Sequence, residues 1–465
     1  MTDPQLPQYY ENDLELIDVN DAAALRSVLE DLRSAVKIGT ELVLAHVHKA
    51  TLSDTQSPTS LYTGDLGIAL ALLRLERQAE HCFPTGPATD QLLQEVRAGI
   101  ESIVALTARP TDQDGPERFS PISSTVLGPP FVRLLVGGRD DADVATLQDA
   151  LDRSLVKGPE VYKDRLFYVH EMFVGRTGML WTALELKKLH PQNTAFTHLY
   201  ESVDKLTDVI LQDGYKEGKL YLEKGNADVG MPLMWRWFDD YHALGFVHGN
   251  TGILSFFLSS PLTKSLQPAY PTMATTITGL SAHVLANAGH LAMSIPPHAA
   301  TRTPPLLQIC HGTPSFTLLL AFVQRNRAFA STVWQPAWTD ALRAAAETTW
   351  TQGLLGKGIS LCHGITGNAL PLLMLADGAA YLPGPAALSD AETDTLLARG
   401  LSMLLHARAC PPFAEAMEAD EVTALARGKT YRAPDRPFSL WEGLAGAVAA
   451  WAEACLQPYM FLAGR

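Results

Sequence analysis

The residues of this sequence best suited to chemistry are two copies of the tripeptide Cys-His-Gly, at residues 310–312 and 362–364. Thiolate and imidazole are the ligands that zinc prefers, so the two copies could close on one ion if the fold brings them together. Neither copy has the short ligand spacing of an ordinary zinc module such as C-x-x-C. Spacing alone therefore leaves a second interpretation open, in which both cysteines are simply buried beside structural histidines.

A sequence repeat predicts the elements that must position these tripeptides. An amphipathic helix, a loop and an apolar helix opened by a glycine recur seven times along the chain. The opening glycines are Gly64, Gly128, Gly175, Gly249, Gly312, Gly364 and Gly443. The amphipathic segments that we assign from the pattern are residues 21–50, 87–109, 193–213, 275–293, 339–355 and 390–409.

The repeat predicts an all-α fold, because no stretch of comparable length shows the sustained period-two alternation of a strand. A closed double ring of helices explains the two helix types. An outer helix needs only one apolar stripe, whereas an inner helix is enclosed on all sides. Glycine permits the close backbone approach that crowded helix ends require, so packing is the simplest explanation of each Gly-x-x-Gly.

Composition limits the classes of protein that this chain can be. Of its 465 residues 47% are hydrophobic and 18% are charged, which is typical of a globular protein with a substantial core. The net charge of −14 disfavours nucleic acid and anionic membranes as partners, although it leaves room for a local basic pocket. We therefore predict no nucleic-acid partner.

Cysteine usage and the N-terminus predict the compartment. Five cysteines are few and odd in number, so we expect a reducing environment without a disulfide framework. The first residues carry no secretory signal, and the apolar runs are too short to span a bilayer. The sequence thus predicts a soluble cytoplasmic protein with no integral membrane segment, and it leaves peripheral membrane association open.

The repeated motifs also resemble a known family. LYTGDLG, FVGRTG, GFVHGNTG, ICHGTPS, LCHGITGN and PFSLWEGLAG, in that order, are similar to the motifs of the eukaryotic LanC-like proteins, relatives of the bacterial lanthionine synthetase C cyclases. The resemblance covers nearly the whole chain. It implies an α/α toroid of seven helical hairpins with a zinc ion at the mouth of the inner barrel. The implied organisation is an N-terminal extension at residues 1–20 and a single LanC-like domain at residues 21–465.

The resemblance implies that Cys310, Cys362 and His363 bind the zinc ion. By residue type alone, His311 is a fourth candidate. Four protein ligands would close the site and make it structural, whereas three leave an open position of the catalytic kind. The family uses three ligands, which leaves His311 a supporting or packing role. An open position suits a thiol, because a coordinating zinc ion keeps a thiol deprotonated near neutral pH.

The same resemblance implies the reaction, in which a thiol adds to dehydroalanine or dehydrobutyrine and forms a thioether. In the eukaryotic relatives the thiol is glutathione, a co-substrate. The enolate formed by addition must be protonated, so a general acid is needed. His248 matches the family's histidine in GFVHGNTG, although a lone histidine before glycine is more often structural. Glu171 lies where the cyclases carry a carboxylate, and we assign it a supporting role.

Three further residues match the family's glutathione contacts. Lys357 and Arg432 can pair with carboxylates of glutathione, and Asp435 can meet its ammonium group. Without the resemblance, these three would be interpreted as solvated surface charges. The family often carries an arginine just before its N-terminal aromatic pair, and here that position is Gln8. One glutathione contact of the family is therefore expected to be missing.

The predicted function is zinc-dependent addition of glutathione to dehydroamino acids in peptides or proteins. One alternative is a non-catalytic signalling scaffold that binds glutathione and a protein partner, and another is a lanthipeptide cyclase, although the sequence supplies no partner peptide. A glycosidase is a weaker alternative. That chemistry needs two facing carboxylates, and the openings of the inner helices offer only Glu171 and Glu442.

Overall fold

The computed structural model describes residues 6–52, 60–106, 116–138, 140–259, 266–296, 298, 303–379 and 388–457. In this part of the chain the fold is carried by sixteen α-helices, and the strands are confined to two short antiparallel pairs. The prediction of an all-α fold is confirmed. Within the same residues, no helix combines the length and the apolar character that crossing a membrane requires.

Seven helices begin at, or directly after, the glycines predicted to open them. They are Asp65–Cys82, Gly128–Leu135, Arg176–Leu189, Asn250–Ser259, Thr313–Arg325, Ile365–Ala379 and Leu444–Ala454. In Thr313–Arg325 and Leu444–Ala454 nearly every residue is buried. Burial on all sides is the environment that their unbroken apolar sequences predict.

Seven amphipathic helices alternate with these. They are Ala22–Leu52, Pro87–Leu106, Asp141–Val156, Thr197–Glu223, Tyr270–Ala286, Pro336–Gln352 and Asp390–His406. The sequence analysis did not assign the Asp141–Val156 helix, although the buried residues Val144, Leu147 and Leu151 have helical spacing and Asp140 caps the helix through the Ala142 N–H. It also ended the Thr197–Glu223 helix ten residues early, at residue 213.

Two short α-helices, the strand pairs and short 3₁₀ helices make up the other described elements. The α-helices are Arg327–Val333 and Ala419–Ala426. Strand Tyr9–Tyr10 pairs antiparallel with Leu354–Leu355, and strand Glu160–Tyr162 pairs antiparallel with Arg165–Phe167 (the latter forms a hairpin). The first pair joins the N-terminal segment to the residues that precede the second Cys-His-Gly tripeptide.

The chain divides into two compact units, the first of which comprises residues 1–108, 349–376 and 389–465. In this unit, Leu444–Ala454 packs against both Ala22–Leu52 and Asp65–Cys82. The helix Pro87–Leu106 covers Asp65–Cys82 with its stripe of buried residues Leu92, Val96, Gly99, Ile100 and Ile103. This unit contains the second Cys-His-Gly tripeptide and the N-terminal strand.

The second compact unit comprises residues 109–348 and 377–388. In it, Thr313–Arg325 packs against Asn250–Ser259, and Arg176–Leu189 packs against Thr197–Glu223. This unit contains the first Cys-His-Gly tripeptide, Glu171 and His248. The division of the chain into an extension at residues 1–20 and a single domain at residues 21–465 stays a prediction.

A repeated close approach shapes the loops that precede the inner helices. A Cβ atom on the second glycine of the motif would lie 1.7 to 2.4 Å from the carbonyl oxygen six residues upstream, as at Gly67, Gly178, Gly252, Gly367 and Gly446. In these five repeats only glycine fits at this position, so packing accounts for their Gly-x-x-Gly pattern. Ser315 holds this place in the fifth repeat, and its hydroxyl donates to the Gly312 carbonyl at 2.6 Å.

These loops carry predicted site residues that lie just before the opening glycines. The predicted ligands, the predicted proton donor and the predicted supporting carboxylate all lie one to four residues before such a glycine: Cys310, Cys362, His363, His248 and Glu171. Each repeat therefore presents its polar residues from an equivalent turn. Gly312 adds a backbone requirement of its own, since its φ of +121° lies in the region that favours glycine.

Candidate functional site

The structure brings the three predicted metal ligands together. One ligand atom each from Cys310, Cys362 and His363 lies within 4.8 Å of the other two. Both cysteines are buried and the histidine is half-buried. Among the described residues this is the one group of three or more His, Cys, Asp or Glu side chains that meets such a distance limit. The donor set, two sulfurs and one imidazole, is of the kind that holds zinc.

His311, the fourth candidate by residue type, is not part of this group. Its ring lies instead among aromatic rings, with centroid distances of 5.8 Å to His248 and 6.4 Å to Trp237. A packing role beside His248 fits this position. The prediction of three ligands with one open coordination position stays a prediction.

The Cys310 sulfur has a hydrogen-bond donor supplied by its own loop. The Gln308 side-chain amide donates from Nε2 to Cys310 Sγ at 3.0 Å, and this side chain is buried. The Gln308 backbone N–H donates to the His311 carbonyl at 3.2 Å, which closes the loop before Gly312. Nothing in the sequence marked Gln308, because its role depends on how the loop folds back on itself.

The Cys362 sulfur has a donor from a distant part of the sequence. The Tyr62 hydroxyl donates to Cys362 Sγ at 3.3 Å. The Tyr62 ring stacks on Trp441 with centroids 6.4 Å apart, and the Cys362 backbone N–H donates to the Trp441 carbonyl at 2.9 Å. Residues from three different repeats, namely Tyr62, Cys362 and Trp441, therefore determine the position of this sulfur. Tyr62 belongs to the LYTGDLG motif, which was the signal that could have identified it.

Glu171 and His248 form the second cluster of predicted residues. The Glu171 carboxylate is buried and accepts hydrogen bonds from the backbone N–H groups of Phe173 and Val174. Its Oε2 lies 3.3 Å from His248 Nδ1, which is ion-pair distance without the alignment of a hydrogen bond. The backbone bonds fix the carboxylate, and the carboxylate in turn faces one edge of the imidazole.

A tryptophan covers one face of the same imidazole. The Trp237 ring stacks on His248 with centroids 3.8 Å apart and an interplanar angle of 11°. The Trp237 backbone is held on both sides, because its N–H donates to the Tyr241 carbonyl at 2.9 Å and its carbonyl accepts from the Tyr168 N–H at 3.0 Å. Sequence analysis missed Trp237, since nothing local indicates a partner eleven residues away.

Charged groups behind Trp237 anchor the segment that carries it. Arg236 makes a buried ion pair with Glu217 and lies over the Tyr168 ring at 4.3 Å. Burial alone would lower the pKa of Arg236, but the hydrogen bonds and charge of Glu217 outweigh burial and raise it. Arg236 is therefore a permanent cation, and its pair with Glu217 fastens this segment to the Thr197–Glu223 helix.

Two other histidines of this unit are poor proton donors near neutral pH. Burial and the neighbouring Arg176 guanidinium lower the pKa of His170 to about 3. Burial, with the charge of Arg236, lowers the pKa of His242 to about 4. Both imidazoles are neutral at pH 7. Neither is therefore a candidate general acid near neutral pH.

Lys357 lies in a turn that the N-terminal segment and a second loop both contact. The turn is closed by the Gly358 N–H, which donates to the Leu355 carbonyl at 3.0 Å. The N–H of Gly356 donates to the Gln8 carbonyl at 3.2 Å, beside the pairing of Tyr9–Tyr10 with Leu354–Leu355. Position 8 is therefore next to the turn that presents the half-exposed Lys357.

The Arg432 segment meets the same turn from its other side. The Arg432 N–H donates to the Gly356 carbonyl at 3.0 Å. The Arg432 guanidinium is paired with the carboxylate of Asp435, which is mostly exposed. The sequence analysis assigned these two side chains to different groups of a ligand. In the structure these two side chains pair with each other within one loop. The backbone of Arg432 contacts the turn that carries Lys357.

Comparison with known proteins identifies relatives of this chain. A family model described as lanthionine synthetase C-like protein matches residues 55–380. Glutathione S-transferase LANCL1 of Danio rerio is 26% identical over 310 residues, which are 67% of this chain and 65% of that protein. LanC-like protein GCL1 of Arabidopsis thaliana is 24% identical over 306 residues, 66% of this chain and 59% of that protein. The chain thus spans less than two thirds of either relative.

The family match covers only part of the predicted site. Residues 55–380 include the three clustered ligands together with Glu171, His248 and Lys357. Gln8, Arg432 and Asp435 lie outside that range. The match therefore bears on the metal cluster and its neighbours more directly than on the Arg432 loop.

Proposed function

Because the chain belongs to the lanthionine synthetase C-like family, we propose that it adds the thiol of glutathione to dehydroalanine or dehydrobutyrine residues of peptides or proteins. The observation that carries the proposal is the convergence of Cys310, Cys362 and His363 within 4.8 Å. The family description supports thioether chemistry, and the relative named as a glutathione S-transferase supports glutathione as the thiol.

Cys310, Cys362 and His363 are the residues that would hold a zinc ion. Zinc binds sulfur at about 2.3 Å and imidazole nitrogen at about 2.0 Å, so three atoms this close need only small side-chain adjustments to share one ion. A zinc ion bound by three protein ligands would supply Lewis acidity that keeps an added thiol deprotonated near neutral pH. The hydrogen bonds from Gln308 and Tyr62 suit sulfurs that carry negative charge.

His248 is the proposed proton donor. When the glutathione sulfur adds to the β-carbon, the alkene π electrons move toward the carbonyl and leave an enolate, and the α-carbon then takes a proton. Glu171 faces His248 Nδ1, and Trp237 covers one ring face, so both restrict the orientation of the imidazole. Such restriction holds the donor nitrogen toward the substrate instead of leaving it to rotate.

Lys357 and Arg432 are the proposed glutathione contacts. Each can pair with a carboxylate of the tripeptide, and their backbones meet at one turn. Arg432 keeps donors beyond those that face Asp435, because a guanidinium has five N–H groups in a fixed fork. Asp435, which is mostly exposed, is the acceptor proposed for the glutathione ammonium group.

The Lys357→Met variant is expected to raise the KM for glutathione about tenfold while kcat changes little, since one charge-assisted hydrogen bond is lost. Steady-state kinetics with a dehydroalanine peptide at saturating concentration measures both constants. Lys37→Met, which removes an exposed lysine of the same unit, is the matched control and should keep the wild-type KM. An unchanged KM in Lys357→Met would remove this residue from the glutathione site.

The Gln8→Arg variant is expected to lower the KM for glutathione by about three- to fivefold, because an exposed ion pair contributes up to about 1 kcal/mol. Position 8 adjoins the Lys357 turn, so an arginine there can reach the same ligand. Gln8→Met adds length without charge and should leave the KM unchanged. Equal effects of the two substitutions would show that charge at position 8 does not contact glutathione.

One experiment tests the proposed function as a whole. The purified protein is assayed for bound zinc and then incubated with glutathione and a dehydroalanine peptide that contains its own cysteine. A mass increase equal to one glutathione supports the proposal. A product of unchanged mass with no cysteine left to alkylate would instead identify a cyclase. Zinc-loaded protein that binds glutathione but changes neither peptide nor thiol would favour the scaffold alternative and refute the transferase.

A further inference from the structure

In the proposed reaction, the two candidate ligand sulfurs, those of Cys310 and Cys362, could themselves attack the alkene substrate. Under the proposed function, each would be a nucleophile close to the electron-poor alkene of the substrate, and each accepts a hydrogen bond from a neutral side chain. Gln308 Nε2 donates to Cys310 Sγ at 3.0 Å, and the Tyr62 hydroxyl donates to Cys362 Sγ at 3.3 Å. The two donors come from unrelated parts of the sequence, so the arrangement is not a by-product of one motif.

We infer that Tyr62 and Gln308 are positioning residues that protect the two ligand sulfurs from reacting with the alkene substrate, an inference that rests on the proposed function. A donor aimed at a thiolate stabilises its negative charge. The same withdrawal of electron density lowers the nucleophilicity of that sulfur. In the proposed reaction, the sulfur that adds to the alkene is the sulfur of glutathione.

The reaction that the donors suppress has a definite product. A ligand thiolate that attacked the alkene would form an S–Cβ bond as the π electrons moved to the α-carbon, and water would then protonate that carbon. The protein would carry the substrate as a stable thioether on Cys310 or Cys362. No leaving group and no oxidant is involved, so any electron-poor alkene that reaches the site can serve as a probe of this reaction.

The contacts that hold Tyr62 and Gln308 favour a role in protecting the two sulfurs over simple packing. Tyr62 is held in place by its ring contact with Trp441, and the Trp441 carbonyl also fixes the Cys362 backbone through the Cys362 N–H. Donor and acceptor are thus both tied to one residue, which sets the O–H to sulfur geometry. Gln308 is buried, and its backbone N–H bond to the His311 carbonyl holds it two residues before its own acceptor.

The inference predicts site-selective damage when a donor is removed. In zinc-saturated Tyr62→Phe, alkylation of Cys362 by N-ethylmaleimide is expected to rise about three- to tenfold, with Cys310 unchanged, because nucleophilicity follows basicity with a slope near one half. In Gln308→Leu the increase is expected at Cys310 and not at Cys362. Peptide mapping by mass spectrometry reads both sites in one digest.

Zinc affinity gives a second measurement that does not depend on turnover. Each variant is expected to bind zinc about tenfold more weakly in competition with a chromophoric chelator, as is usual when a group that supports a metal ligand is lost. Tyr200→Phe is the matched control, since it removes a tyrosine hydroxyl that donates to the His190 carbonyl at 3.0 Å and contacts no cysteine. It should retain the wild-type zinc affinity and alkylation rate.

Either of two results would overturn the inference. One is wild-type alkylation at both cysteines in both variants, whatever the zinc affinity. The other is an equal increase at both cysteines in each variant, which would indicate general loosening. Thermal melting establishes that the variants are folded, and Gln308→Met replaces Gln308→Leu if the latter is not. The alkylation assay contains no glutathione, so its failure says nothing about transferase activity. Transferase activity is measured separately, with glutathione and the wild-type protein.

Discussion

Cys362→Ala is expected to lose its zinc and at least about a hundredfold in the rate of glutathione addition, because Lewis-acid stabilisation by a bound metal supplies several kcal/mol. Two ligands, Cys310 and His363, remain within reach of each other but cannot complete a three-ligand site. Metal analysis of the dialysed protein and mass detection of the glutathione adduct measure the two losses on the same sample.

Cys82→Ala is the matched control for this variant. Cys82 is also fully buried, and its Sγ lies 3.7 Å from the Ala452 carbonyl, away from the ligand group. The same atoms are deleted, so loss of stability alone would appear equally in both variants. A Cys362→Ala protein that adds glutathione at the wild-type rate without metal would refute the zinc mechanism, whereas loss of activity in both variants would point to stability as the cause.

His248→Ala is expected to keep its zinc and its glutathione binding and to lose about 10²- to 10⁴-fold in the rate of thioether formation, which is the usual contribution of a general acid. Glu171→Gln should lose less, because the amide keeps the shape beside His248 Nδ1 and removes only the charge. Single-turnover kinetics with preloaded glutathione separates this chemical step from binding.

A second histidine–carboxylate pair in the same unit provides the control. His198 Nε2 lies 3.0 Å from Asp152 at an exposed position, so His198→Ala deletes the same kind of contact away from the cluster. It should leave the rate unchanged. If His248→Ala also lost its zinc, the histidine would be supporting the metal ligands instead of donating the proton. If its rate were unchanged, another group would have to protonate the enolate.

The helical repeat was predictable because its signal is local. Apolar periodicity and glycine positions sufficed for the alternation of inner and outer helices and for the all-α class, and family membership supports the α/α-toroid assignment. The error in the Thr197–Glu223 helix has a tertiary cause. Gly214 and Gly218 look like helix breakers, but a Cβ atom at either would lie 2.5 Å or less from Trp235 or Pro232, so both serve helix packing.

The candidate site was predictable only in part. The three candidate metal ligands were predicted through the resemblance, since the spacing of the tripeptides left burial as an alternative, and the structure brings their ligand atoms together. Gln308 and Trp237 have no signal in the sequence, and Tyr62 has only its place in the LYTGDLG motif. Their importance comes from a hydrogen bond or a ring contact that exists only after folding. Metal binding, like the catalytic and glutathione-binding roles, stays a prediction.

The short strand near the N-terminus has a practical consequence. Besides the pairing of Tyr9–Tyr10, the Tyr10 hydroxyl donates to the Thr430 carbonyl at 2.6 Å, and Asp13 forms an ion pair with Lys429. Lys429 is largely buried, and its ammonium group lowers the pKa of Asp13. Deleting residues 6–15 would remove this strand and leave the buried Lys429 ammonium group without the Asp13 carboxylate. Recombinant protein intended for glutathione measurements should therefore retain these residues.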